Sequence, residues 1–157
     1  MLIPRAKKEN YSGKRFYICN TIKVLALDGL SCRIFEAMRI LFASSEIQID
    51  KTDSINNADV ILRQDKNLTK LEEYTLSAED DRIEIAYSEF MGGRNAVVSL
   101  LQLVRFEDDN LNIIEAEIND WADNRMRGML VDSVYVFIPV QKLKDTMLRM
   151  ALSKMNL

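Results

Sequence analysis

The stretch from residue 127 to residue 156, RGMLVDSVYVFIPVQKLKDTMLRMALSKMN, constrains what this chain can fold into more than any other. It opens on an apolar, largely β-branched run (Met129, Leu130, Val131, Val134, Val136, Phe137, Ile138) with the polar pair Asp132–Ser133 set inside it. Near-continuous apolarity of this kind predicts a strand over 129–137 buried on both faces, as in a parallel sheet. Pro139 stops it, having no N–H for a ladder and a backbone suited to a helix start. From Val140 the apolar residues return at Leu143, Met147, Met150 and Ala151, one face of an amphipathic helix over 140–153. Met155, Asn156 and Leu157 then read as the start of a second strand. A strand, a crossover helix and another strand open a repeated β/α architecture.

Composition narrows the class. At 157 residues the chain suits one domain, or one domain and a fragment. Its 48% apolar and 29% charged residues are those of a globular protein. A net charge of −3 without runs of Lys or Arg argues against a nucleic-acid partner. No apolar run approaches the roughly 20 residues of a membrane-spanning helix, so no membrane partner is expected. The basic start lacks the apolar core of a signal peptide, leaving a cytosolic protein or a mature exported fragment open. Two cysteines, Cys19 and Cys32, are too few for a disulfide framework or a structural zinc site and read as core or near-core residues. No metal and no cofactor is expected.

Taken in order, residues 1–18 have no clear period and read as a tail or a loose edge strand. Strands are predicted over 21–27, at 47–49 and over 59–63, with a helix over 32–43 capped by Ser31. Residues 73–78 and 82–87 form a predicted hairpin around Glu79-Asp80-Asp81. Gly92-Gly93 marks a turn before a helix over 94–104, Glu107-Asp108-Asp109-Asn110 a second turn, and 111–118 a further strand. The expected fold class is α+β: a two-layer domain with a mixed sheet of roughly four to six strands, two helices on one face. The expected division is a tail (1–18), that α+β domain (19–119), and a linker with a β/α unit (120–157).

Residues 127–156 closely resemble the start of the catalytic barrel in family 20 glycoside hydrolases, the β-N-acetylhexosaminidases. Their first barrel strand reads R-G-x-x-x-D-x-x-R-x-F-x-P, and the following helix ends M-A-x-x-K-x-N. Arg127, Gly128, Asp132, Phe137, Pro139, Met150, Ala151, Lys154 and Asn156 fall on that pattern, whereas Tyr135 stands where the family has a second arginine. The domain before the family's barrel is matched by Tyr74-Thr75-Leu76, Ile83-Glu84-Ile85, Gly92 and the helix end Leu100-Leu101-Gln102-Leu103. Asp120 keeps the linker's acidic residue, with Ala122 in place of its proline. The family sequence continues past the final Asn with a histidine-bearing strand. This chain has no histidine and ends at Leu157, so the expectation is a barrel, a truncated (β/α)8, cut short after its first β/α unit.

The resemblance implies substrate-assisted hydrolysis of terminal N-acetylhexosamine from glycans by an adjacent Asp–Glu pair on a later strand. This sequence holds no Asp-Glu dipeptide, so no catalytic residue is assigned and the chain alone is expected to be inactive. The resemblance also implies that Arg127 binds sugar hydroxyls, a task suited to a planar guanidinium. Without a barrel, the residues alone favour an exposed linker arginine there. Gly128, Asp132 and Asn156 are expected to be structural. The acidic turns read as solvated, and Trp121 as a packing anchor beside the linker. The expected partners are the missing barrel of a parent protein, carbohydrate only in that parent, and a second copy through self-association of 127–157. A stand-alone α/β binding module without enzymatic activity is the other reading.

Overall fold

A computed structural model describes residues 2–43, 45, 47–107, 110–132, 134 and 137–156. One mixed sheet of eight strands organises it, against the four to six expected. The strands are β1 (Lys8–Ile18), β2 (Thr21–Ala26), β3 (Gln48–Thr52), β4 (Val60–Gln64), β5 (Tyr74–Glu79), β6 (Arg82–Tyr87), β7 (Val104–Glu107) and β8 (Asn110–Asp120). Three helices accompany them: α1 (Gly29–Phe42), α2 (Phe90–Leu103) and α3 (Val140–Leu152).

The strand order is β1-β8-β5-β6-β4-β2-β3, with β7 also paired to β8. β2 runs parallel to β3 and β4, and β4 parallel to β6. The remaining pairs are antiparallel. Residues 8–18 are thus an edge strand, and the N-terminal segment adds Leu2, Ala6 and Phe16 to the core. Asp80 and Asp81 both lie at positive φ, 49° and 61°, in a two-residue loop between the paired Glu79 and Arg82. That doubly left-handed loop matches the twist of the flanking strands. Cys19 is exposed and Cys32 only half-buried, so neither belongs to the core proper.

Alternation along the strands decides what is buried. Tyr74, Leu76 and Ala78 of β5, with Ile83, Ile85 and Tyr87 of β6, enter one apolar cluster. Ile34, Met38 and Leu41 of α1, with Ala96, Leu100 and Leu103 of α2, enter it from the helices at helical spacing. Both helices begin earlier than the sequence predicts. Asp28, not Ser31, caps α1: its Oδ1 accepts the Ser31 N–H at 2.8 Å. Ser31 lies inside the first turn, fully buried, with its Oγ 2.7 Å from Asp28 Oδ2 and 3.1 Å from Leu62 O.

Gly92 and Gly93, expected in a turn, sit inside α2 because two neighbours approach its backbone. A Cβ on Gly93 would lie 2.1 Å from Ile34 Cδ1 and 3.1 Å from Tyr87 Cδ1; on Gly92, 2.7 Å from the Glu73 carbonyl oxygen. The glycines are therefore places where α1, β6 and the loop before β5 press on α2.

The largest departure from expectation is at 129–137. Its described residues form no strand, and Leu130 is 94% exposed, Val134 86% and Phe137 86%. A doubly buried strand exists only with neighbours on both sides, and none of the eight strands pairs with the described residues of this segment. Met155 and Asn156 likewise leave α3 without becoming a strand. α3 itself forms as the pattern requires, although none of its residues is fully buried.

Replacing Gly93 by alanine is expected to lower stability in urea unfolding by about 1–3 kcal/mol, the usual cost of overpacking. Adding Ile34→Val, which removes the clashing Cδ1, is expected to recover part of that loss. Unchanged stability in Gly93→Ala would show that α1 and α2 are not in this close contact.

Candidate functional site

Between the loop before β5, the end of β8, α2 and the C-terminal residues lies a cluster of charged and polar side chains withdrawn from water. Its first centre is Glu72, only 3% exposed and in the left-handed region at φ 53°. One side-chain oxygen, Oε2, accepts from the Arg127 guanidinium and, at 2.9 Å, from Asn95 Nδ2. The other, Oε1, accepts from Asn156 Nδ2 at 2.8 Å. A buried carboxylate is tolerable only with such partners, one of them a charge.

The second centre is Lys154, 5% exposed and also left-handed at φ 57°, just past α3. Its ammonium donates to Asp120 Oδ2 and to the Tyr74 hydroxyl, both at 2.9 Å. Tyr74 Oη is also 2.6 Å from Ser99 Oγ on α2. Burial pulls the Lys154 ammonium below its ordinary pKa, against the opposing attraction of Asp120. Burial, and then the Asp120 charge, push the Tyr74 hydroxyl well above its ordinary value. Arg94 borders the Glu72 centre: burial lowers its guanidinium, it donates to Met155 O at 2.7 Å, and its Nε is buried without a partner among the described residues.

These bonds bring together two of the four residues marked by sequence. Arg127 and Asn156 pair by backbone and side chain: Arg127 N–H donates to Asn156 Oδ1 at 2.9 Å, and Asn156 N–H to Arg127 O at 2.8 Å. Arg127 also donates from Nε to Lys154 O at 3.0 Å and from Nη1 to Asn124 O at 2.6 Å. The expectation of an exposed linker arginine is therefore corrected: the buried carboxylate of Glu72, in the loop before β5, holds this side chain. Gly128 and Asp132 are not part of the cluster. Both are exposed, and among the described residues Asp132 accepts the N–H of Val134, two residues on, at 2.8 Å. Tyr135, where the resemblance departs from its family, lies outside the described residues, as do Asp108 and Asp109. Trp121 is half-buried with the Lys70 ammonium 3.2 Å from its ring centroid, a cation–π contact beside the cluster.

Sequence reasoning missed Glu72, Asn95, Ser99 and Tyr74, and gave Lys154 and Asp120 no role. One signal was available. Asn95 and Ser99 stand four apart within the apolar stripe of α2, and polar residues on a buried helix face need partners. Among the described residues, no group of three His, Cys, Asp or Glu side chains converges on a metal position. The cluster offers anchoring rather than chemistry: every carboxylate in it is occupied by donors.

Removing the Arg127 side chain is expected to destabilise the chain by about 1–3 kcal/mol, because it leaves a buried acceptor under-satisfied. A change under about 0.5 kcal/mol in urea unfolding, usual for surface positions, would contradict the buried pairing. A second expectation concerns alkaline pH. Burial raises Tyr11 and Tyr87 to about 12 and Tyr74 well above 10.0. The folded chain thus keeps these protons where the unfolded chain releases them, so stability is present below pH 10 and is lost as pH rises from 10 toward 12. Lys154, lowered in the fold, contributes with the opposite sign below 10.5 and is outnumbered by the three tyrosines. Tyrosinate absorbance coinciding with unfolding is the expected result; ionisation preceding unfolding would contradict it.

Known proteins share parts of this sequence and its fold. The family model described as glycosyl hydrolase family 20, domain 2, matches residues 1–121. A beta-hexosaminidase of Vibrio furnissii is 33% identical over 102 residues, 65% of this chain and 16% of that protein. A probable beta-hexosaminidase of Drosophila melanogaster is 29% identical over 92 residues, 54% of this chain and 14% of that protein. The chain thus spans about a sixth of the length of these relatives. Among solved structures, the family 20 exo-beta-N-acetylglucosaminidase of Vibrio harveyi in complex with N-acetylglucosamine superposes with a TM-score of 0.89 at 20% identity. The match covers 99% of this chain and 24% of that one. The beta-N-acetylhexosaminidase of Bacteroides fragilis gives 0.87 at 19% identity, covering 99% and 32%. With its family model matched over more than three-quarters of its length and its fold shared, this chain belongs to glycosyl hydrolase family 20, matching the domain described there as domain 2.

Proposed function

We propose that the chain is the N-terminal part of a β-N-acetylhexosaminidase, in which its sheet domain seats the first β/α unit of the catalytic barrel. In this reading 19–119 is the seat, 120–157 the linker and first unit, and α1 and α2 cover one face of the sheet. The observation that carries it is the anchoring of Arg127 and Lys154–Asn156 to Glu72 and Asp120. Both ends of the 127–156 segment are held by buried polar contacts. The apolar side chains between them, Leu130, Val134 and Phe137, stand exposed and await a cover. Neighbouring barrel strands would supply that cover and turn 129–137 into the doubly buried strand its sequence describes.

Catalysis in this reading belongs to the barrel. An Asp–Glu pair there would orient the substrate's acetamido group as nucleophile and protonate the leaving oxygen. Arg127 would contribute hydrogen bonds to hydroxyls of the terminal sugar, and carbohydrate would be a ligand only of the full-length parent. In the 157-residue chain the exposed apolar residues favour self-association through 127–157 in place of the missing cover.

Two outcomes are expected. The chain alone releases no chromophore from an aryl N-acetyl-β-glucosaminide above background, whereas a polypeptide continuing it through a barrel does. Turnover by the chain alone, abolished by one substitution, would overturn the assignment. Sedimentation of the chain is expected to show association that Leu130→Asp with Phe137→Asp abolishes. A monomer at all concentrations would contradict that second expectation.

A further inference from the structure

We propose that Glu72, on the sheet domain, is the positioning residue for Arg127. It turns the guanidinium so that two N–H donors stay available for a vicinal pair of sugar hydroxyls. The inference rests on the reading of Arg127 as a sugar-binding residue given above. It adds that orientation comes from the non-catalytic domain rather than from the barrel strand.

The donor arithmetic is direct. A guanidinium carries five N–H donors. Three are engaged: Nε to Lys154 O, Nη1 to Asn124 O and Nη2 to Glu72 Oε2. Five minus three leaves two, one on each terminal nitrogen, with no acceptor among the described residues. None of the three acceptors comes from residues 128–132, which follow Arg127 and are here exposed and outside any strand. Of its three acceptors, two are carbonyls and only Glu72 is a charge.

Glu72 is itself fixed from behind, independently of Arg127. Its N–H donates to Glu89 Oε1 at 3.0 Å, and Asn95 Nδ2 holds Oε2 at 2.9 Å. Gly92 lets the carbonyls of residues 72 and 73 sit where a Cβ would meet them at 3.0 and 2.7 Å. Arg94, the other nearby cation, bonds Met155 O and Asn95 Oδ1 instead of Glu72. A side chain locked by packing and hydrogen bonds, presenting a charge to a ligand-facing residue, is how binding groups are preorganised.

The test has two arms. In the 157-residue chain, nitrogen–proton NMR of arginine side chains should show a slowly exchanging Arg127 Nε–H, and Glu72→Gln should speed its exchange by roughly tenfold or more. In a polypeptide carrying this chain through the barrel, Glu72→Gln should raise KM for an aryl N-acetyl-β-glucosaminide by about tenfold with kcat little changed. In an Arg127→Ala background the same change should have no further effect on KM. Where Glu72→Gln does not fold, Glu72→Asp, which keeps the charge and shortens its reach, carries the same cycle. Equal KM effects in both backgrounds, or unaltered Nε–H exchange, would overturn the proposal. An Arg127→Ala enzyme with unchanged KM would instead overturn the sugar-binding reading, while the NMR arm still decides what Glu72 does.

Discussion

A carboxylate out of water must find its partners inside the protein, and at Glu72 that requirement ties three separate parts of the chain together. Asn95 comes from α2, Arg127 from the segment after β8, and Asn156 from beyond α3. Leaving such a group buried and unpaired costs several kcal/mol, about 3–5 when one partner of a buried pair is removed. The side chain of Arg127 is partly exposed, so the net effect there falls toward the lower end or below. The C-terminal segment therefore docks because the sheet domain already contains an acceptor that needs it. Lys154 repeats the arrangement with the opposite sign, as a buried ammonium delivered to Asp120 and Tyr74.

That dependence gives the domain its shape of action. The sheet and the helices packed against it share one apolar cluster, with Tyr74, Tyr87 and Phe42 among its fully buried side chains. The polar cluster lies at the rim of that core, where β5 begins and β8 ends, and joins it through Tyr74, whose ring is core and whose hydroxyl is cluster. Burial thus fixes the tyrosine, the tyrosine and Asp120 fix Lys154, and Glu72 fixes Arg127.

Much of this was legible in the residues, and the failures share a cause. Strands with clean alternation, such as 73–78 and 82–87, formed nearly where the pattern placed them. Helix α3 formed from its apolar spacing alone. The start of α2 was misplaced because two glycines read as a turn, when they mark where Ile34 and the Glu73 carbonyl press on a helix. Tertiary approach decided, and local sequence does not record it. Segment 129–137 shows the converse: its apolarity describes an environment of neighbouring strands, and without them the described residues form no strand and stand exposed. Arg127 and Asn156 were found through their family pattern. Glu72 was not, since one acid in a polar loop looks like any solvated carboxylate until its burial is seen.

Residue-resolved hydrogen exchange tests the central claim, that buried polar contacts anchor both ends of 127–156 to the sheet domain. Slow exchange is expected at every protein concentration for the N–H groups of Arg127 and Asn156, which bond Asn156 Oδ1 and Arg127 O. Met129, Leu130 and Val131, lying between those anchors, are predicted to exchange rapidly in dilute solution. Rapid exchange at Arg127 and Asn156 alike, with β5 and β8 still protected, would show that the segment is not docked and would contradict the account.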